Sequence, residues 1–115
     1  MSNLKPLTKY QLRKIKSKTA NWYHLCKDYY LPEDLIREYK DFVDWWNITS
    51  YQKLSEKFII KFKNQVRWRL ISKYQKLSQK FLIKFYKKIY FEEIPLCFFN
   101  FKQLNRTKHF YQTFL

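Results

Sequence analysis

Apolar positions in this chain fall into short stripes that change phase midway through each segment. Between residues 54 and 76, Leu54, Phe58, Phe62 and Val66 are spaced by four, and Trp68, Ile71 and Tyr74 follow at a spacing of three. Both spacings are helical. At about 100° per residue, one continuous helix would scatter these side chains around most of its circumference. Two helices of roughly eight to ten residues, joined near residues 64–67, would bring both stripes to one core.

The double stripe recurs. LSEKFIIKFKNQVRWRLISKYQK (residues 54–76) returns as LSQKFLIKFYKKIYFEEI (77–94) after a step of 23 residues. The same step backwards reaches LPEDLIREYKDFVDWWNITSYQK (31–53) and, faintly, TKYQLRKIKSKTANWYHLCKDYY (8–30), so Trp22, Trp45, Trp68 and Phe91 share one repeat position. A helical pair this short cannot bury its own stripes, whereas stacked neighbours can. The predicted fold is all-α, a small helical-repeat (solenoid-like) array of short helix-turn-helix units. A flexible lead-in, residues 1–7, precedes units 8–30, 31–53, 54–76 and 77–99, and residues 100–115 form a C-terminal cap.

Local signals agree with this division. Ser55 and Ser78 stand where N-caps belong, Asp44 precedes Trp45 as a further cap, and Pro32 suits a first helical turn. In unit one, Leu12 and Ile15 mark one side of a strongly cationic helix, and Trp22, Leu25 and Cys26 form its second stripe. Its polar outer face fits a terminal capping repeat. After Ile94 the pattern degrades, with Pro95 at the position of Ser72 and Cys97 at that of Tyr74. The shared aromatic position is expected to form a buried layer rather than a set of contact residues.

Composition narrows the chemistry. With no glycine and three prolines, tight hairpins and glycine-rich phosphate loops are disfavoured. Cys26 and Cys97 are too few for a disulfide scaffold, and no signal-peptide pattern precedes residue 30, so a cytoplasmic, reducing setting is expected. No apolar run is long enough for a membrane-spanning helix.

The formal net charge is +15. Residues 1–27 carry seven cations and no acid, 28–44 two cations and six acids, 45–91 twelve cations and one acid, and 92–115 three and two. Such an excess points to nucleic acid, an anionic membrane or an acidic protein. Repeat positions four and eight read Asp34 and Glu38, then Lys57 and Lys61, then Lys80 and Lys84. Each pair lies one helical turn apart, so stacked units would form a ridge running acid, base, base. Asp34 would then neutralise Lys57, and Glu38 would neutralise Lys61. Lys80 and Lys84, with Lys87, Lys88, Lys63, Arg67 and Arg69, would remain a cationic surface without internal partners. The anion-binding candidates are these seven, Lys63, Arg67, Arg69, Lys80, Lys84, Lys87 and Lys88, with Lys61 on the same ridge and Arg13, Lys14, Lys16 and Lys18 of unit one.

The segment W-x-x-I-S-x-Y-Q-K-L-S-x-K-F, Trp68 to Phe81 and nearly Trp45 to Phe58, resembles a family of short tandem α-helical repeats. These 23-residue repeats occur in large DNA viruses and some bacterial and phage proteins. The likeness covers about residues 31–94, and units one and four lack the Ser-x-Tyr-Gln piece. It implies an interaction module of viral or mobile-element origin without an assigned reaction.

Other chemistry is weakly signalled. His24, Cys26, Cys97 and His109 are zinc-ligand types without the paired short spacings of zinc motifs, so no metal is expected. Asp34, Glu38 and Asp41, with Glu92 and Glu93, could in principle serve a metal-dependent nuclease, but a solvated face explains them better. No nucleophile–base arrangement stands out, and neither an enzyme nor a cofactor is expected. A membrane surface fits poorly, since the aromatics repeat at core positions. No zinc finger, RNA-recognition signature or basic zipper appears, so contact with RNA is expected ahead of sequence-specific DNA binding. The expected function is a non-catalytic binding module whose basic face engages nucleic acid or a nucleoprotein complex. One concrete form is a phage-type inhibitor of a host RNA-guided defence complex. The alternative is a viral structural or scaffold protein acting through protein–protein contacts.

Overall fold

The computed structural model describes residues 3–98, and over these the chain is all-helical, as predicted. Seven α-helices run in order: α1 (Lys9–Lys16), α2 (Trp22–Asp28), α3 (Glu33–Glu38), α4 (Trp45–Tyr51), α5 (Glu56–Lys61), α6 (Trp68–Tyr74) and α7 (Gln79–Lys84). Two 3₁₀ turns, Phe91–Glu93 and Leu96–Phe98, follow. Each 23-residue unit through the third holds two helices, and α5 and α6 are joined across residues 62–67, where the phase change placed the turn.

The helices are shorter than predicted: α3, α5 and α7 have six residues, and α2, α4 and α6 have seven. The difference lies in the intervening turn. Tyr39 O accepts from both Phe42 N (2.9 Å) and Val43 N (3.1 Å), and Phe62 O from Gln65 N (2.9 Å) and Val66 N (3.0 Å). Val43, Val66 and Ile89, spaced by 23, are buried and pin this turn to the interior.

Caps fix the helix starts. Ser55 and Ser78 each accept a backbone N–H at 3.2 Å, from Phe58 and Phe81, and Asp44 accepts from Asn47 N at 3.1 Å. Pro32 is itself the N-cap of α3, one residue earlier than expected. Two further caps escaped the sequence reading: Thr8, in a reciprocal capping box with Gln11, and Asn21, which accepts from His24 N. Before α1, Lys5 makes two bonds to the end of α2: its N–H donates to Asp28 O and its carbonyl accepts from Tyr30 N, both at 2.8 Å.

The chain divides into two compact regions, residues 1–66 and 67–115. In the first, α2 and α4 pack directly, and the core includes Ile15, Leu25, Leu31, Ile36, Ile48, Phe58 and Ile59. In each region a second helix of one unit packs on the first helix of the next. Trp45 lies over Phe58 and Phe62, with centroids at 6.2 and 5.3 Å; Trp68 lies over Phe81 and Phe85 at 6.1 and 5.6 Å. Trp22 meets Tyr39 at 5.5 Å in the same way. The packing pair is thus offset by half a repeat from the sequence unit.

This corrects the expectation of a fully buried tryptophan layer. Trp22, Trp45, Trp68 and Phe91 are half-buried, with the three tryptophans leaning on rings of the next first helix, while Ile48 and Ile71 occupy the sealed positions. Leu12 is likewise exposed, leaving Ile15 as the buried residue of α1.

Polar residues complete the interior. Gln52, 1% exposed, donates to Cys26 O (2.9 Å) and Tyr29 O (2.7 Å) and accepts from Leu31 N (3.0 Å). It thereby satisfies carbonyls at the end of α2 that have no partner within the helix. Gln75, at the same repeat position, is also buried. Thr49 and Ser72 turn their hydroxyls back onto the carbonyls of Trp45 (2.7 Å) and Trp68 (2.8 Å). Ser72 Oγ also accepts from Tyr90 N at 2.9 Å, as Cys26 Sγ does from Asp44 N at 3.4 Å.

Candidate anion-binding face

Lys80 and Lys84 lie on α7, one turn apart and exposed, and α7 carries no acid. The helix ends at Lys84, so Lys87 and Lys88 stand in the turn beyond it, where Lys88 N donates to Phe85 O at 2.8 Å. None of these four ammonium groups pairs with an acid among the described residues. Three lie near ring faces: Lys84 Nζ is 5.6 Å from the Phe85 centroid, Lys87 Nζ 5.9 Å from Tyr86, and Lys88 Nζ 5.6 Å from Trp68. Exposed contacts of this kind contribute on the order of 0.5–1 kcal/mol and orient a lysine without neutralising it. Phe85 and Trp68, which pack α6 on α7, thus also lie beside Lys84 and Lys88.

In the first region Lys61 repeats this arrangement, ending α5 with its Nζ 5.9 Å from Phe62. The predicted neutralisation by α3 does not occur. Among the described residues neither Asp34–Lys57 nor Glu38–Lys61 forms an ion pair. Arg37, on the same helix, takes Asp34 and Glu33 instead. Glu33 also accepts from Ser55 N (2.7 Å) and Ser55 Oγ (2.9 Å), tying α3 to the start of α5. Arg37 thus takes Asp34 before Lys57 can, and Lys57 and Lys61 stay exposed without an acid partner in the described residues. Asp41 lies beyond the end of α3, apart from the helix that carries Asp34 and Glu38.

Arg69 departs from the prediction in the other direction. It sits within α6 rather than in the turn, and its guanidinium reaches Glu93 at 3.6 Å and lies 4.9 Å from the Tyr90 ring. Its charge has an internal partner. Lys63 and Arg67 also interact with other groups.

In unit one, Arg13, Lys14 and Lys16 occupy the last turn of α1, where cations favourably meet the negative end of the helix dipole. Lys14 Nζ lies 5.3 Å from the Tyr10 ring. Lys18 follows the helix with φ 62°, a left-handed conformation that glycine would take at lowest cost.

Cys26 is sealed in the core, and burial pushes its thiol up from 9.0 to about 12. His24 faces the other way, its Nδ1 3.7 Å from Asp28 on the exposed side of α2. Cys97 is exposed, and His109 lies outside the described residues. Among the described residues no three His, Cys, Asp or Glu side chains gather as metal ligands, and no helix is long and apolar enough to cross a membrane.

No protein-family model, curated protein or solved structure matches the chain.

Proposed function

We propose that this chain is a non-catalytic binding module whose exposed lysines engage the phosphate backbone of a nucleic acid, free or held in a nucleoprotein. The observation supporting this most strongly is the group Lys80, Lys84, Lys87 and Lys88, which is exposed and has no acid partner among the described residues. Lysines of this kind supply affinity without sequence information. The α-helices are six to eight residues long, too short to present an extended recognition surface to a major groove, so RNA is favoured over sequence-specific DNA. The repeat's likeness to viral and phage proteins suggests an origin in a virus or mobile element. Inside a host cell, such a module would act by occupying the nucleic-acid channel of an RNA-guided defence complex.

The test is fluorescence anisotropy with a labelled single-stranded RNA and a duplex DNA of equal length, titrated at several salt concentrations. A steep loss of affinity with salt is expected, and changing all four lysines to alanine should reduce the slope by about three. Absence of binding at low salt, or an unchanged slope in the variant, overturns the reading and leaves a protein scaffold in its place.

A further inference from the structure

Two large aromatic side chains stand on the outside of the first compact region at one repeat position. Tyr23 and Trp46, each the second residue of its helix, are 52% and 57% exposed. Their helices, α2 and α4, pack directly, and Asn47 Nδ2 donates to Tyr23 O at 3.2 Å, so the two side chains emerge from neighbouring points. Packed helix axes lie about 8–10 Å apart. Single exposed aromatics are unremarkable. Two in repeat register, on directly packed helices, offer a pair of exposed aromatic rings.

The rings are available. Among the described residues Trp46 makes no ring contact and its indole N–H no hydrogen bond, and the Tyr23 ring meets only its helix neighbours His24 and Lys27. Lys27 Nζ lies 5.8 Å from the Tyr23 centroid, which sets a cation beside that ring. Of the acids on or beside these two helices, Asp28 lies 3.7 Å from His24 Nδ1 and Asp44 accepts from Asn47 N at 3.1 Å.

We infer that Tyr23 and Trp46 form a base-stacking site for single-stranded nucleic acid, with Lys27 placed for the adjoining phosphate. This rests on the nucleic-acid reading above and adds to it a strand preference. A duplex keeps its bases stacked on each other, whereas a single strand can lay them on aromatic faces, each worth about 1–3 kcal/mol. The lysines alone would not distinguish the two.

The experiment compares Trp46→Ala, Trp46→Phe and Tyr23→Ala in the full chain, using an oligoadenylate 12-mer and a duplex of the same length. Trp46→Ala is expected to weaken oligoadenylate binding about tenfold or more without changing the salt slope. Duplex binding should hold, and Trp46→Phe should keep most of the single-strand affinity. Circular dichroism of each variant confirms that the exposed substitutions leave the helices intact. Equal losses for both probes, or no loss for either, overturn the stacking site while the lysine-driven reading stands. If the unaltered chain binds neither probe, both readings fall.

Discussion

Residues 45–51 and 91–97 occupy the same repeat position, yet the first is a full helical stretch and the second breaks into two 3₁₀ turns. Apolar patterning does not explain the difference, since Trp45 and Phe91 correspond and both are half-buried. WWNITSY is in fact a poor helix former, rich in β-branched, aromatic and short polar residues. Its polar contacts fix it: Asp44 caps its start, Asn47 reaches Tyr23 O, and Gln52 closes on the end of α2. The later stretch has Pro95 where Thr49 and Ser72 stand and Phe98 where Gln52 and Gln75 stand. A proline lacks the N–H and pushes the residue before it out of the helical region, so Ile94 is extended and the turn closes at Glu93. In this repeat a proline at the Thr49 and Ser72 position, rather than a loss of apolar patterning, ends the second helix.

The most damaging way to probe that contrast is Gln52→Leu. It removes the partner of two carbonyls and one N–H in a sealed site, each costing about 1–3 kcal/mol when left unsatisfied. A loss on the order of 3 kcal/mol in urea unfolding is expected. Phe98→Leu, at the same repeat position without these bonds, should cost about 1 kcal/mol or less. Equal losses would show that the glutamine acts through packing alone.

Much of this was legible in the chain itself. The 23-residue step, the phase change before Trp68, the Ser55, Ser78 and Asp44 caps and the break at Pro95 follow from local rules and are found in the structure. The role of Gln52 was not, because its partners lie 21 to 26 residues away and nothing local marks a glutamine as buried. The same reason hid the ion pairing. Repeat register aligned Asp34 with Lys57, but Arg37 stood only one turn from Asp34 and took it. Arg69 was similarly drawn to Glu93, a contact outside the repeat pattern. Tyr23 and Trp46 carry no repeat signal, because the same position is Arg69 in unit three, whereas the position before it keeps Trp22, Trp45 and Trp68.

A second contrast lies between Cys26 and Ser72, which share a repeat position and each accept an N–H from a residue 18 further along. Burial raises the folded thiol from 9.0 to about 12, whereas the unfolded thiol ionises near its ordinary value. The stabilisation is complete below about pH 9 and is lost as pH rises toward 12. Cys26→Ser should remove that alkaline component from a pH series of denaturation midpoints, as serine does not titrate there. At pH 8 a thiol reagent should label Cys97 readily and Cys26 only after unfolding, given their exposed and buried positions. Rapid labelling of both would contradict a sealed α2.

The smallest expected effect concerns the end of α1, which alone among the described residues turns through a left-handed conformation, at Lys18. Ser17 N and Thr19 N reach back to Arg13 O (2.9 Å) and Lys14 O (3.0 Å), so the turn is fixed by backbone bonds rather than by the lysine side chain. A non-glycine residue there carries a steric cost of roughly 1–2 kcal/mol, partly offset because glycine has more freedom to lose on folding. Lys18→Gly should therefore stabilise the chain by about 0.5–1 kcal/mol while removing one candidate phosphate contact. If Lys18 belongs to the binding face, the variant melts higher and binds nucleic acid with a slope smaller by about one. If stability rises and the slope is unchanged, unit one is a structural cap, and the anion-binding work lies with the lysines of α7 and the turn after it.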